Sequence, residues 1–217
     1  MGTRVCPQDL RKGRALRRGI VLAVLIALTA AAHLSDIALA KWAARYDQLL
    51  IVQIVGHSAY WMGLGGVQIG LAVVVAGGLW LRRNAPAAWL WTAAGAADLL
   101  AGLFAQVVKR LVGRARPRLD LSSLLYIGPT AASDYHSFPS GHSATSFAMA
   151  ALLAVHYPRL ATLFYALAAY IAAGRVLAGS HYLSDVLAGA VLGMATAWAV
   201  NGLFFRKART SDDQCIA

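Results

Sequence analysis

The sequence predicts an all-α bundle of six membrane-spanning helices, folded as one domain over residues 1–217. Three observations carry that prediction. Hydrophobic residues make up 59% of the chain, charged residues only 13%, and the mean hydropathy is +0.59, whereas soluble domains carry about 25% charge. The nine acidic residues are all Asp, yet helices that face water draw heavily on Glu. Six stretches approach the roughly 20 helical residues that a ~30 Å hydrocarbon core requires: residues 20–40, 57–81, 88–109, 141–157, 160–178 and 184–205. A disordered basic chain is excluded, because such chains are poor in apolar residues.

The elements follow in order. A basic tail, 1–19, with Arg11, Lys12, Arg14, Arg17 and Arg18, precedes the first span. With Arg82, Arg83, Arg159 and the tail 206–217, that side collects 12 of the 20 basic residues. Positive charge stays on the cytoplasmic side, so both termini are expected there, in a plasma (inner) membrane. The basic stretch, apolar run and Ala30-Ala31-Ala32 also fit a cleavable signal, but the apolar run continues to Ala40 and favours a retained span. Residues 41–56 hold Trp42 and Tyr46, which suit an interfacial helix or a plain connection. Gly66-x-x-x-Gly70 and Gly189-x-x-x-Gly193 read as helix-packing patterns. Cys6 and Cys215 have neither metal spacing nor a disulfide framework.

Polar residues are costly in a membrane, so their clustering is informative. Three groups fall on the expected outer side. Lys109 and Arg116 pair a point charge with a planar five-donor fork, suited to phosphate oxygens, and Pro117 brings Arg116 out of the helix. Pro139-Ser140-Gly141-His142 opens the fourth span: Ser140 is a cap, Gly141 admits close approach, and a helix N-terminus attracts anions. Arg175 ends the fifth span, and His181 and Asp185, four apart, share a helical face. A carboxylate on one imidazole nitrogen would make the other a directed nucleophile. No carboxylate cluster suggests Mg²⁺ or Zn²⁺. The economical reading is a phosphate site that needs no metal or other cofactor. Asp98 lies inside the third span, where a carboxylate needs a partner or must become neutral. It stands about 16 Å from Lys109 along a helix, which places it outside the chemistry. His136, Asp134 and Tyr135 could meet a headgroup or serve the loop, and His33, His57 and His156 read as structural.

These motifs resemble those of the type 2 phosphatidic acid phosphatase superfamily, also called lipid phosphate phosphatases. That family carries Lys, six residues, Arg-Pro; then Pro-Ser-Gly-His; then Ser-Arg, five residues, His, three residues, Asp. Lys109 with Arg116-Pro117 matches the first motif, and Pro139 through His142 matches the second. Arg175, His181 and Asp185 match the third, with Gly174 in place of the usual Ser. That departure should touch local packing and leave activity intact. The resemblance implies that His181 attacks phosphorus, Asp185 orients its ring, and His142 protonates the leaving oxygen and later activates water. Lys109, Arg116, Arg175, Ser140 and Gly141 would hold the phosphoryl oxygens.

It also implies a membrane enzyme that hydrolyses a lipid phosphate or pyrophosphate at the outer leaflet. The motifs read only the phosphate and leave the lipid open among phosphatidic acid, phosphatidylglycerophosphate, undecaprenyl pyrophosphate and lipid A phosphates. A phosphotransferase with a second lipid as acceptor, or a non-catalytic phospholipid-binding or transport protein, is the alternative. The chain is too short and too embedded for a vanadate peroxidase. Basic residues at span ends suit topology and anionic lipid, with no nucleic-acid partner.

Overall fold

The computed structural model describes residues 7–205. Cys6, Cys215, Arg4 and the tail 206–217 lie outside the described residues. Eight α-helices follow in order: α1 (Pro7–Ala32), α2 (Asp36–Ala44), α3 (Leu50–Gly63), α4 (Gly65–Leu81), α5 (Ala85–Val112), α6 (Gly141–His156), α7 (Ala161–Leu177) and α8 (Leu183–Phe204). α1 begins inside the segment read as a tail and ends eight residues before the expected boundary at Ala40. The chain turns there, with Asp36 held in a buried ion pair, and α2 and the start of α3 occupy most of the stretch 41–56.

By length and composition four segments can cross a membrane: Ala15–Ala32, Ala85–Val112, Pro158–Leu177 and Leu183–Phe204. The stretch expected as one span, 57–81, is two helices, α3 and α4, bent by 54° and counted as a fifth span if taken together. Leu64, extended between Gly63 and Gly65, makes the break. Gly63 is pressed so close to α6 and α7 that a Cβ there would lie 2.5 Å from Ile171 and 2.8 Å from His142. The freed carbonyls are satisfied from side chains, as a non-aqueous surrounding demands: Thr145 Oγ1 donates to Gly63 and Gln68 Nε2 to Met62.

α6, only 16 residues long, is the central helix and packs on α5, α7 and α8. Its neighbours approach closely because the interface is built from small residues. Ala93, Ala97, Ala101 and Ala105 form an i, i+4 stripe on α5, and Ala144, Ala148 and Ala151 answer from α6, all fully buried. Gly189 and Gly193 of α8 meet Ser140, Ser143 and Ala144 with no room for a Cβ. Gly66 and Gly70, by contrast, have nothing within 4 Å, so that pattern packs no helix among the described residues. Large apolar side chains such as Val24, Leu71, Val74 and Leu103 instead cover the outside of the bundle.

The helix caps set where the site forms. Asn84 accepts from Ala87 N–H at the start of α5, and Gly113, at φ 63°, closes its end, a left-handed conformation that glycine adopts without strain. Ser140 caps α6 and Tyr182 caps α8. The ends of α5 and α7 and the starts of α6 and α8 therefore meet at one end of the bundle.

Candidate active site

At that end lies a cavity of about 590 Å³ lined by Lys109, Arg116, Gly141, His142, Arg175 and His181, among others. Residues expected from three separate motifs thus share one wall. Lys109 is buried in the last turn of α5 and its ammonium stands 3.3 Å from where a Cβ on Gly141 would lie. The bare glycine lets this cation hang over the N-terminus of α6, so positive charge and free N–H groups face the same space. Arg116, drawn out by Pro117, is fixed by the Ser133 and Ser180 carbonyls, which accept from its Nε and Nη1. Burial and the nearby Arg118 lower its pKa.

Arg175 and His142 reach the cavity with polar atoms still free. Arg175 Nε and His142 Nε2 are buried without a hydrogen-bond partner in the protein. Tyr60 of α3 stacks beside both, its ring centroid 5.3 Å from the guanidinium carbon and 5.4 Å from the imidazole. α3 can bring Tyr60 there because Gly174 leaves no side chain in the way; a Cβ on Gly174 would lie 2.3 Å from that of Ala59. The replacement of the usual Ser therefore has a packing reason.

His181 is buried, and its Nδ1 lies 2.8 Å from the Ser137 carbonyl. A carbonyl only accepts, so Nδ1 carries the hydrogen and Nε2 keeps the lone pair. Burial, reinforced by Lys109 and Arg116 and only partly opposed by Asp185, pushes the His181 pKa down to about 4. The imidazole is neutral at physiological pH. Spacing alone placed Asp185 directly on this ring. Instead its Oδ2 stands 3.8 Å from Nδ1, beyond a hydrogen bond, because the carboxylate is already committed. Ser137 Oγ and Tyr182 N–H donate to Oδ2 at 2.6 and 2.8 Å, and Arg114 Nη1 donates to Oδ1 at 2.5 Å. Asp185 thus acts one step behind the ring, by locking the Ser137 segment whose carbonyl holds it.

Arg114 and Asp36 were not legible as site residues. Arg114 is fully buried, donates to Asp185, to Asp36 at 2.7 Å, to Ser184 Oγ at 2.7 Å and, through Nε, to the Ser123 carbonyl at 2.8 Å. Asp36 also accepts from Ser184 N–H. Burial works against the Arg114 charge, but the two carboxylates outweigh it and raise its pKa. Five basic residues within ten positions hid the one that pairs with the buried carboxylates. Ser140 faces inward: its hydroxyl accepts from Ser143 N–H and its own N–H donates to the Asp185 carbonyl, so it supports the cavity wall from behind. Asp134 pairs with Arg118, and His136 bonds the Thr130 carbonyl. His33, His57 and His156 bond Thr29, Trp61 and Asn201 respectively. Among the described residues no group of three His, Cys, Asp or Glu side chains could hold a metal ion.

A profile of the PAP2 superfamily matches residues 89–209, which hold every one of these motif residues. The chain belongs to the PAP2 superfamily. It is 38% identical over 118 residues to a lipid A 1-phosphatase of Rhizobium johnstonii, covering 51% of this chain and 48% of that one. It is 40% identical over 110 residues to a decaprenylphosphoryl-5-phosphoribose phosphatase of Mycobacterium tuberculosis, covering 51% and 58%. The chain thus spans about half the length of the curated relatives it matches. A solved PAP2-type transmembrane phosphatidylglycerolphosphate phosphatase from Bacillus subtilis superposes with a TM-score of 0.57 at 22% identity, over 90% of this chain and 98% of that one. The likeness to that structure is one of fold.

Proposed function

We propose that this PAP2 protein hydrolyses the phosphate of a membrane lipid, without a metal, through a phosphohistidine on His181. The observation that carries the reading is the convergence of Lys109, Arg116, Arg175 and the N-terminus of α6 on a cavity that also holds two histidines. Displacement at phosphorus requires mainly positioning and charge stabilisation. Three cations and the Gly141 N–H supply the stabilisation. His181 Nε2, neutral and oriented by Ser137, forms the N–P bond as the P–O bond to the lipid breaks. His142 gives its proton to the departing oxygen. It then takes a proton from the water that attacks phosphorus, the N–P bond breaks, and inorganic phosphate leaves.

Six crossings are part of the proposal, with α3 and α4 together as the second and the short α6 as the fourth. The distribution of basic residues supports cytoplasmic termini and a cavity on the outer side of a plasma membrane. The cavity is lined by Leu99 and Leu103, which are half-exposed on the apolar outside of α5. That opening supports lateral entry, with the chain left in lipid while the phosphate reaches the cations. The names of the relatives make lipid A and polyprenyl phosphates the substrates to try first, beside phosphatidic acid and phosphatidylglycerophosphate. Detergent-purified protein should release phosphate from at least one of these lipids in EDTA, and His181→Ala should abolish release. Release that stops with EDTA, or persists in His181→Ala, would overturn the mechanism.

A further inference from the structure

One buried ionisable group in the cavity is unused by the phosphate chemistry. Asp98, on α5, has no solvent exposure, lines the cavity, and neither of its carboxyl oxygens has a hydrogen-bond partner in the protein. The residue facing it is a glycine: a Cβ on Gly65 would sit 3.4 Å from Asp98 Oδ2 and 3.3 Å from the Thr145 methyl, so only glycine leaves the carboxyl uncrowded on that side. The Thr145 hydroxyl is turned away, its one hydrogen within reach of the carbonyls of Gly63, Gly141 and His142. The wall around Asp98 is otherwise apolar, with Ile69, Leu99 and Leu103. A leucine would fill such a place at far less cost than a carboxyl group without a partner.

The group that meets Asp98 is not the phosphate, which has the same charge sign and is drawn to cations at the other end of the cavity. Asp98 borders the cavity beside Gly65 and Thr145, about 16 Å along α5 from Lys109, and so lies well below the cations that draw the phosphate. A ligand atom at that depth belongs to the lipid body. It must be polar, because an apolar chain would leave both oxygens unpaired. A hydroxyl both donates and accepts, so it satisfies this carboxyl whether protonated or ionised.

We propose that Asp98 receives a hydroxyl group carried on the lipid body of the substrate, so that the cavity prefers lipid phosphates with a hydroxylated chain to those with plain hydrocarbon. The proposal rests on the reading of the cavity as a lipid phosphate site and names a specificity residue within it. Asp98 is remote from the reacting atoms and acts on which lipid is held.

The test uses a matched pair of monoacylglycerol phosphates, one with a hydroxyl on the third carbon of its acyl chain and one without. Binding is measured on the His181→Ala protein, which cannot turn the ligands over. One buried neutral hydrogen bond corresponds to a preference of roughly tenfold for the hydroxylated lipid. Adding Asp98→Leu should bring the two affinities within about twofold by weakening only the hydroxylated lipid, while Asp98→Asn, which still donates and accepts, should keep most of the preference. Gly65→Ala, which crowds Asp98 Oδ2, should reduce the preference without altering Asp98. Equal affinities in the His181→Ala protein would overturn the proposal before any change at Asp98. So would an Asp98→Leu effect of equal size on both lipids, which is the signature of a structural role. Phosphate release by the unaltered protein is followed in parallel: its absence, with the binding preference intact, would remove the catalytic reading and leave the hydroxyl subsite standing.

Discussion

Arg114 lies without solvent exposure between Asp36 and Asp185, so replacing it strands two buried carboxylates, a change worth about 3–5 kcal/mol. Lysine keeps the charge but not the fork that reaches both carboxylates and the Ser123 carbonyl. Arg114→Lys should therefore lower both the thermal midpoint in detergent and phosphate release, the latter by at least about tenfold. Arg175, whose Nε has no protein partner, contrasts with it: Arg175→Lys should lower kcat/KM by about tenfold or more while the midpoint moves by only a few degrees. A second prediction concerns pH. His181 titrates near 4 in the folded protein against an ordinary 6.5. Between those values the unfolded chain binds a proton that the folded chain does not, so this group lowers stability as pH falls from about 6.5 towards 4. Labelled-histidine NMR should find the His181 ring neutral at about pH 5.5; a midpoint near 6.5 would contradict its burial. Lys109, Arg116, Arg175, His142 and His181, which line one cavity, were legible from motif spacing. Ser137, which orients His181 with a main-chain carbonyl, left no trace, since any residue type supplies a carbonyl. Asp36 had no motif, because its partner is 78 positions away.

The same pattern of two glycines four apart has opposite meanings in α4 and α8. Gly193 has the Ala144 carbonyl oxygen 2.2 Å from where its Cβ would be, whereas Gly66 has open space. Gly193→Val must push α8 off α6, at about 1–3 kcal/mol or more for overpacking, and should carry Ser140 and Asp185 apart with it. Gly66→Ala should be neutral within about 0.5 kcal/mol. Thermal unfolding of both variants in detergent checks the pair. Sequence spacing could not separate the two patterns, because it does not say which helix faces which. Nor did hydropathy reveal the break in the stretch 57–81: it is made by the extended backbone of Leu64, and an apolar residue at a break looks no different from one inside a span. The bounds of α6, α7 and α8 were readable to within a residue, with Ser140 marking the start of α6 as a cap.

At the scale of the whole molecule, an outside of Val and Leu and a core of Ala and Gly reverse the arrangement of a soluble bundle. Close backbone packing and lipid contact replace the burial of large side chains. That composition made the membrane class plain from the sequence. What it did not contain was the route by which α2 is tied to α8 across the site through Asp36, Arg114, Ser184 and Asp185, a link between distant segments with no local periodicity. The bundle gathers four helix ends and three cations around His181, the imidazole proposed to carry the phosphoryl group. The most direct test is rapid acid-free quenching of the unaltered protein during turnover of a lipid labelled in its phosphate, beside His181→Ala. Label should be bound covalently to the protein at His181 and absent from His181→Ala. Turnover by the unaltered protein with no label at His181, or with label on another residue, would contradict it.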